Sequence, residues 1–318
     1  MAAHKPLTVA EFFADAVRRF TRARLHFGHG THNARDEAAY LILHALRLPI
    51  DSLAPHSDRR LSAAELHRLN ALLEQRIRQR IPASYLTREA WLGEYSFYVD
   101  RRTIIPRSFI AELLREAMGP WVRKPVRRIL DLCTGSGCLA VLAAMAFPKA
   151  HVDATDVSPA ALAVARRNIR HYRLDKRVRA IQSDLFADLA PARYDLILCN
   201  PPYVDTDSMR GLPQEYRHEP VMALSGGADG LRIVRRILAD APRFLSSQGV
   251  LVCEIGHHRR RLERSHPDLP FVWLETSSGP DHVFLLEKWD RSALAGSPRS
   301  FGQRKTSANG RPRPRGPD

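Results

Sequence analysis

Ile129-Leu130-Asp131-Leu132-Cys133-Thr134-Gly135-Ser136-Gly137-Cys138 reads as a short buried strand, a glycine turn and the opening of a helix. Gly135 and Gly137 let the backbone approach a ligand closely, and a helix N-terminus just beyond favours a carboxylate or phosphate. The spacing is not that of a dinucleotide fingerprint. Outward from this stretch, apolar runs alternate with helical patterns at 152–156, 180–184, 196–199 and 250–254. Strands alternating with helices predict an α/β fold of Rossmann-like type, a mostly parallel, doubly wound sheet whose ligand sits at the carboxyl ends of the strands. The runs Phe271-Val272-Trp273-Leu274 and Val283-Phe284-Leu285-Leu286 predict a closing antiparallel pair.

The strand ends carry the chemistry. Asp131, Thr134, Gly135 and Gly137 follow the first strand, Asp156 ends the second, Asp184 the third, and Asn200-Pro201-Pro202-Tyr203 follows the fourth. A carboxylate at Asp156 suits the two hydroxyls of a ribose. Asp184 suits the amino group of an adenine, with Leu185 or Phe186 against the base. In that order the four ends describe a site for S-adenosylmethionine, with its methyl facing Asn200. An amide or exocyclic amine nitrogen has its lone pair delocalised, so alkylating it requires that its N–H bonds be held. Asn200 offers a side-chain carbonyl, and the Pro201 carbonyl a second acceptor. Two prolines without N–H groups and with fixed φ make the turn stiff, and Tyr203 supplies a ring against a flat group. The plainer reading is a strand ending in a proline turn, with each acid acting as a helix cap.

Ahead of this domain, Thr8-x-x-Glu11 and Ser62-x-x-Glu65 are capping boxes, and 36–46 adds a third amphipathic stretch. We expect a helical substrate-recognition domain over 1–84. A β-hairpin connector is expected over 85–105, where aromatics alternate around Gly93. The methyltransferase-like domain is expected over 106–288, and a basic disordered tail over 289–318, where Gly, Pro, Ser and Arg replace aliphatics.

The 318 residues, 44% hydrophobic, support a substantial core, and no apolar run is long enough to span a bilayer. Without a signal-peptide pattern, a cytoplasmic location is the default. The four cysteines lie in apolar segments with no zinc spacing and read as reduced; no metal is expected. The net charge of +15 includes +5 from 289–318, where seven Lys/Arg oppose two Asp. Such a balance favours contact with nucleic acid or ribosomal particles, or simply a solubilising surface.

From about Pro82 to Lys288 the chain resembles the protein glutamine N-methyltransferases, and within them the branch acting on bacterial ribosomal protein L-three. The motifs are Tyr85-Leu86-Thr87 with Trp91, Pro106-Arg107-Ser108, the 131–138 loop, Asn200-Pro201-Pro202-Tyr203-Val204-Asp205, Glu215-Tyr216-Arg217-His218-Glu219-Pro220 and Asp229-Gly230-Leu231. The release-factor branch usually reads Pro-Arg-Pro-Glu-Thr where this chain has Pro106-Arg107-Ser108-Phe109-Ile110. Phe109 and His282 depart from the expected proline and glycine. The resemblance implies direct methyl transfer to a glutamine amide, with Asn200, Pro201 and Tyr203 as catalytic groups. Asn200, Pro201, Pro202, Tyr203, Arg107 and Glu219 are the residues expected to meet the substrate. Arg107, Glu219 and Glu254 have two readings: lining of the substrate cleft or cofactor pocket, or a structural ion partner or strand-end cap. His257-His258, beside Arg259 to Arg261, reads as a solvated or RNA-facing surface. The rival readings are an adenine-N methyltransferase, which needs a recognition domain not seen here, and a non-catalytic RNA-binding assembly factor.

Overall fold

The computed structural model describes residues 7–50, 52–123 and 125–290. Both capping boxes form: Thr8 starts α1 (Val9–Arg22) and Ser62 starts α3 (Ala63–Arg78), with α2 (Ala34–Leu46) between them, capped by Asn33. Phe12, Ala16 and Phe20 of α1 meet Leu41, Ile42, Leu69 and Leu73 in one apolar cluster. A short α4 (Ala83–Thr87) follows Pro82. Tyr85 therefore belongs to a helix and not to the hairpin, which corrects the expected boundary. Its hydroxyl donates to the Thr103 carbonyl at 2.6 Å, tying helix to connector. The hairpin is β1 (Glu89–Leu92) with β2 (Tyr95–Tyr98), turning at Gly93.

After α5 (Ile110–Arg115) the α/β unit begins with β3 (Arg128–Leu132), α6 (Cys138–Ala146), β4 (His151–Asp156), α7 (Pro159–His171), β5 (Val178–Gln182) and β6 (Tyr194–Cys199). A small excursion holds β7 (Val204–Asp205), α8 (Thr206–Gly211), α9 (Val221–Leu224) and β8 (Ser225–Gly227). Then come α10 (Arg232–Asp240), β9 (Leu245–Glu254), α11 (Arg259–Ser265), β10 (Val272–Leu274) and β11 (Val283–Glu287). The seven-stranded sheet runs β10-β11-β9-β6-β3-β4-β5, with β11 antiparallel to both of its neighbours and the others parallel. Chain progression reverses between β3 and β6, the topological switch point at which α/β sheets open a ligand crevice. Apolar clusters cover both faces of the sheet. Trp289 is packed into one of them, so the fold runs past the expected boundary at 288, while residues 291–318 lie outside the described ones.

The helical region and the α/β unit are joined by buried charge. Arg76, 1% exposed, donates to Glu37 at 2.6 Å, to Glu215 at 3.2 Å and to the His26 carbonyl at 2.8 Å. Glu215 also accepts the His26 N–H at 3.0 Å, and His218 Nε2 donates to the Gln79 carbonyl at 2.8 Å. The segment after Asn200-Pro201-Pro202-Tyr203 is thus bolted to α3.

Candidate active site

A cavity of about 320 Å³ opens at the carboxyl ends of the parallel strands. Cys133 and Gly135 after β3, Asp156 at the end of β4, Asp184 and Leu185 after β5, and Asn200 and Pro202 after β6 all line it. Four strand ends predicted to build one site therefore meet in one space. A Cβ added at Gly135 would stand in the open, with nothing nearer than the Cys133 carbonyl oxygen at 4.0 Å. Gly135 N–H donates to Asp156 at 3.0 Å, and the Ser158 N–H reaches the other Asp156 oxygen at 2.9 Å. Burial raises the Asp156 carboxyl above its usual range, and these N–H groups oppose the shift. Each Asp156 oxygen keeps acceptor capacity for a ligand hydroxyl.

Asp131, Gly137 and Phe186 stand behind the cavity and not in it, while Asp184 lines it. Asp131 is fully buried and accepts from Thr134 Oγ1 at 2.5 Å, while its Oδ1 has no partner among the described residues. Burial pushes its carboxyl up to about 7, against the Thr134 hydroxyl. Gly137 is needed for packing: a Cβ there would come within 3.0 Å of Ala165 on α7. Asp184 lies two residues beyond the end of β5 and pairs with Arg236 at 2.8 Å, so the strand end itself is Gln182. Arg236 holds the Asp184 carboxyl below its usual value. Phe186 is stacked on Phe244 at 4.7 Å and does not line the cavity, which leaves Leu185 as the apolar contact.

Asn200 is half-buried, and its side chain makes no hydrogen bond among the described residues. The amide therefore keeps its hydrogen-bonding capacity for a group that enters the strand-end cavity. Pro201 is buried. Tyr203 is held from several sides: its hydroxyl donates to Glu254 at 3.0 Å, and its carbonyl accepts from His258 Nε2 at 2.7 Å. His258 is therefore part of the site's frame, which corrects its reading as free surface.

Arg107 and Glu219, both expected at the substrate, are paired with each other. The two Arg107–Glu219 bonds are 2.6 Å each, and Glu219 also accepts the Ile105 N–H at 2.8 Å. Burial would raise the Glu219 carboxyl, but the adjacent His29 ring and Arg107 guanidinium lower it to about 2. This bidentate pair fastens the 105–107 segment to the loop before α9; the Glu219 side chain is fully buried, whereas Arg107 is 24% exposed and still lines the cleft beside the hairpin.

Residues 9–87 match the family model described as PrmC N-terminal domain, and residues 111–212 match the Methyltransferase small domain. The ribosomal protein uL3 glutamine methyltransferase of Bordetella pertussis is 55% identical over 283 residues, covering 88% of this chain and 95% of that one. That of Neisseria meningitidis serogroup B is 54% identical over 289 residues, covering 90% and 95%. The chain belongs to the ribosomal protein uL3 glutamine methyltransferase family. The Burkholderia pseudomallei member is 53% identical over 298 residues, covering 91% of this chain and 97% of its own.

For a member of the uL3 glutamine methyltransferase family, two features stand out. Cys133 adopts φ 56°, in the left-handed region that favours glycine. The two departures, Phe109 and His282, touch each other with ring centroids 5.3 Å apart, and the Phe109 N–H, which a proline would lack, donates to Glu254 at 3.0 Å. Sequence reasoning missed Met222, Arg232 and Thr103 as cavity walls. Nothing in their local pattern marks them, because they reach the cavity from connections that only the fold brings together.

Proposed function

We propose that this protein transfers the methyl group of S-adenosylmethionine to the side-chain amide nitrogen of a glutamine in ribosomal protein uL3. Membership of the family supports the substrate, and the free Asn200 amide in the strand-end cavity is the observation that carries the chemistry. S-Adenosylmethionine supplies a methyl on a sulfonium, electrophilic enough to be attacked directly. Gly135 leaves room for the cofactor, Asp156 accepts the ribose hydroxyls, and Asp184 and Leu185 border the base. The Asn200 carbonyl and the Pro201 carbonyl hold the two N–H bonds of the glutamine amide, aiming the lone pair and stabilising positive charge as it develops on nitrogen. Tyr203 packs on the amide plane. These residues act by positioning and electrostatics, and the nitrogen then loses its proton to water.

The helical region recognises the substrate protein. Two clefts of about 700 and 770 Å³ share Gly30, Trp91 and Gly93 and run from α1 and α2 across the hairpin to Pro106 and Ser108. A ribosomal substrate puts the reaction in the cytoplasm; among the described residues, no helix is long and apolar enough to cross a membrane.

The deciding experiment incubates the protein with radiolabelled S-adenosylmethionine and a ribosomal extract lacking the endogenous activity. RNase-resistant label in uL3 is expected, and Asn200→Ala should cut the rate about a hundred-fold or more with folding intact. Label in a release factor would move the protein to the sister branch, and RNase-sensitive label would assign it a nucleic-acid substrate.

A further inference from the structure

Beneath the Asn200-Pro201-Pro202-Tyr203 turn, Glu254 ends β9 with no exposed surface. One carboxyl oxygen accepts from the Tyr203 hydroxyl at 3.0 Å. The other accepts from Ser108 Oγ at 2.7 Å and from the Phe109 N–H at 3.0 Å. Tyr203 has little room to move, because a Cβ on Gly256 would already lie 2.9 Å from its ring. We propose that Glu254 is a positioning residue for methyl transfer: as a carboxylate it keeps the Tyr203 hydroxyl donating towards β9, leaving an electron-rich phenol for the substrate amide. The inference rests on the function proposed above.

The hydrogen-bond inventory explains why the charge matters. The Phe109 N–H can only donate, so the oxygen facing it must accept in every state of Glu254. Ser108 Oγ already accepts the Ile110 N–H at 3.2 Å, which leaves its proton for Glu254. A neutral Glu254 keeps both the Phe109 N–H and the Ser108 hydroxyl donating to an unprotonated oxygen only when its proton lies on the Tyr203 side, and the Tyr203 hydroxyl then turns and accepts. Its own proton then points away from β9. A phenol that accepts from a neutral acid is less negative than one that donates to a carboxylate, and an amide nitrogen gaining positive charge is stabilised less by it. Burial pushes Glu254 up to about 7, against the Ser108 and Tyr203 hydroxyls, so both states fall within the ordinary working range. Burial and then the Glu254 charge raise the Tyr203 phenol well above its usual value, so it stays protonated in both states of Glu254. The other charged or titratable neighbours are Arg107, already paired with Glu219; Tyr216, whose ring lies under the Arg107 guanidinium at 5.4 Å; His258, on the Tyr203 carbonyl; and His282, which packs against His257 and is bonded to the Gly256 carbonyl at 3.2 Å.

Glu254→Gln copies the neutral state, because its carbonyl must face Phe109 and its amide Tyr203. The test is the single-turnover rate of uL3 methylation at saturating cofactor, from pH about 5.5 to about 8.5. The wild-type rate should rise about ten-fold or more as pH climbs through about 7, while Glu254→Gln stays flat at the acid-side rate. Cofactor Kd and KM for uL3 should stay within about two-fold, which a merely structural role would not guarantee. Tyr203→Phe should also be flat, Glu254→Gln should add nothing in that background, and His258→Gln should keep the inflection. A wild-type profile in Glu254→Gln, or losses that multiply in the double variant, would overturn the inference. Should Glu254→Gln fail to fold, the profile of Tyr203→Phe decides alone. Failure of the wild type to methylate uL3 overturns the proposed function and this inference together. Methylation by the wild type with an unchanged Glu254→Gln overturns only the inference.

Discussion

Asp131 illustrates how a residue can be found from sequence and still be misread. Its place before the glycines marks it as part of the cofactor loop, yet it stands wholly inside the protein with one oxygen unpaired. Its folded pKa of about 7 lies above the ordinary value of about 3.9 for an unfolded chain. Between these values the folded state holds a proton that the unfolded state has released, so stability from this group is full below about pH 4 and is lost as pH rises through about 7. Without ligand, raising the pH from about 5 to about 7.5 should therefore lower the wild-type Tm more than that of Asp131→Asn. Parallel Tm curves would mean that Asp131 is already ionised in the folded protein at pH about 5. Asn200, Asp156 and Gly135 were legible because each interrupts an apolar run at a strand end. The Arg107–Glu219 pair was not, because it joins residues 112 positions apart, and an arginine in a loop reads the same whether it meets a substrate or a buried glutamate.

At the scale of elements, local signals served well where the cause is local. The capping boxes at Thr8 and Ser62 start helices because neighbouring side chains satisfy free N–H groups. The parallel strands follow from their apolar runs. The short α4 escaped because five residues give too little periodicity, and the insertion of β11 between β9 and β10 escaped because strand order depends on long-range pairing. So did the joint between α3 and the 214–218 segment. Arg76 there faces Glu37 and Glu215, both almost fully buried. Arg76→Ala leaves two buried carboxylates without that partner and should cost about 3–5 kcal/mol in denaturant unfolding. Arg76→Met, which keeps volume but not charge, tests whether the loss comes from packing; equal stability of Met and wild type would show that the charges contribute no net stability.

Across the whole molecule the charge of +15 is too widely spread to name a single face. Residues 291–318 carry seven Lys/Arg and one Asp, a net +6 of that total. If the tail helps capture uL3 within an RNA-containing particle, truncation after Asp290 should slow methylation of the particle and flatten its salt dependence, while leaving free uL3 unaffected. The cut belongs after Asp290 because Trp289 is part of the packed core. Equal salt slopes for both proteins would assign the tail no role in capture. The buried bolt at Arg76 also bears on modularity. The loop that follows the Asn200-Pro201-Pro202-Tyr203 turn is anchored to α3 through Glu215 and to the 105–107 segment through Glu219. A chimera that borrowed its helical region from a relative would therefore have to carry Arg76, its carboxylate partners and the 214–219 loop as one inherited set, because the boundary between recognition and chemistry does not coincide with any place where the chain can be cleanly exchanged.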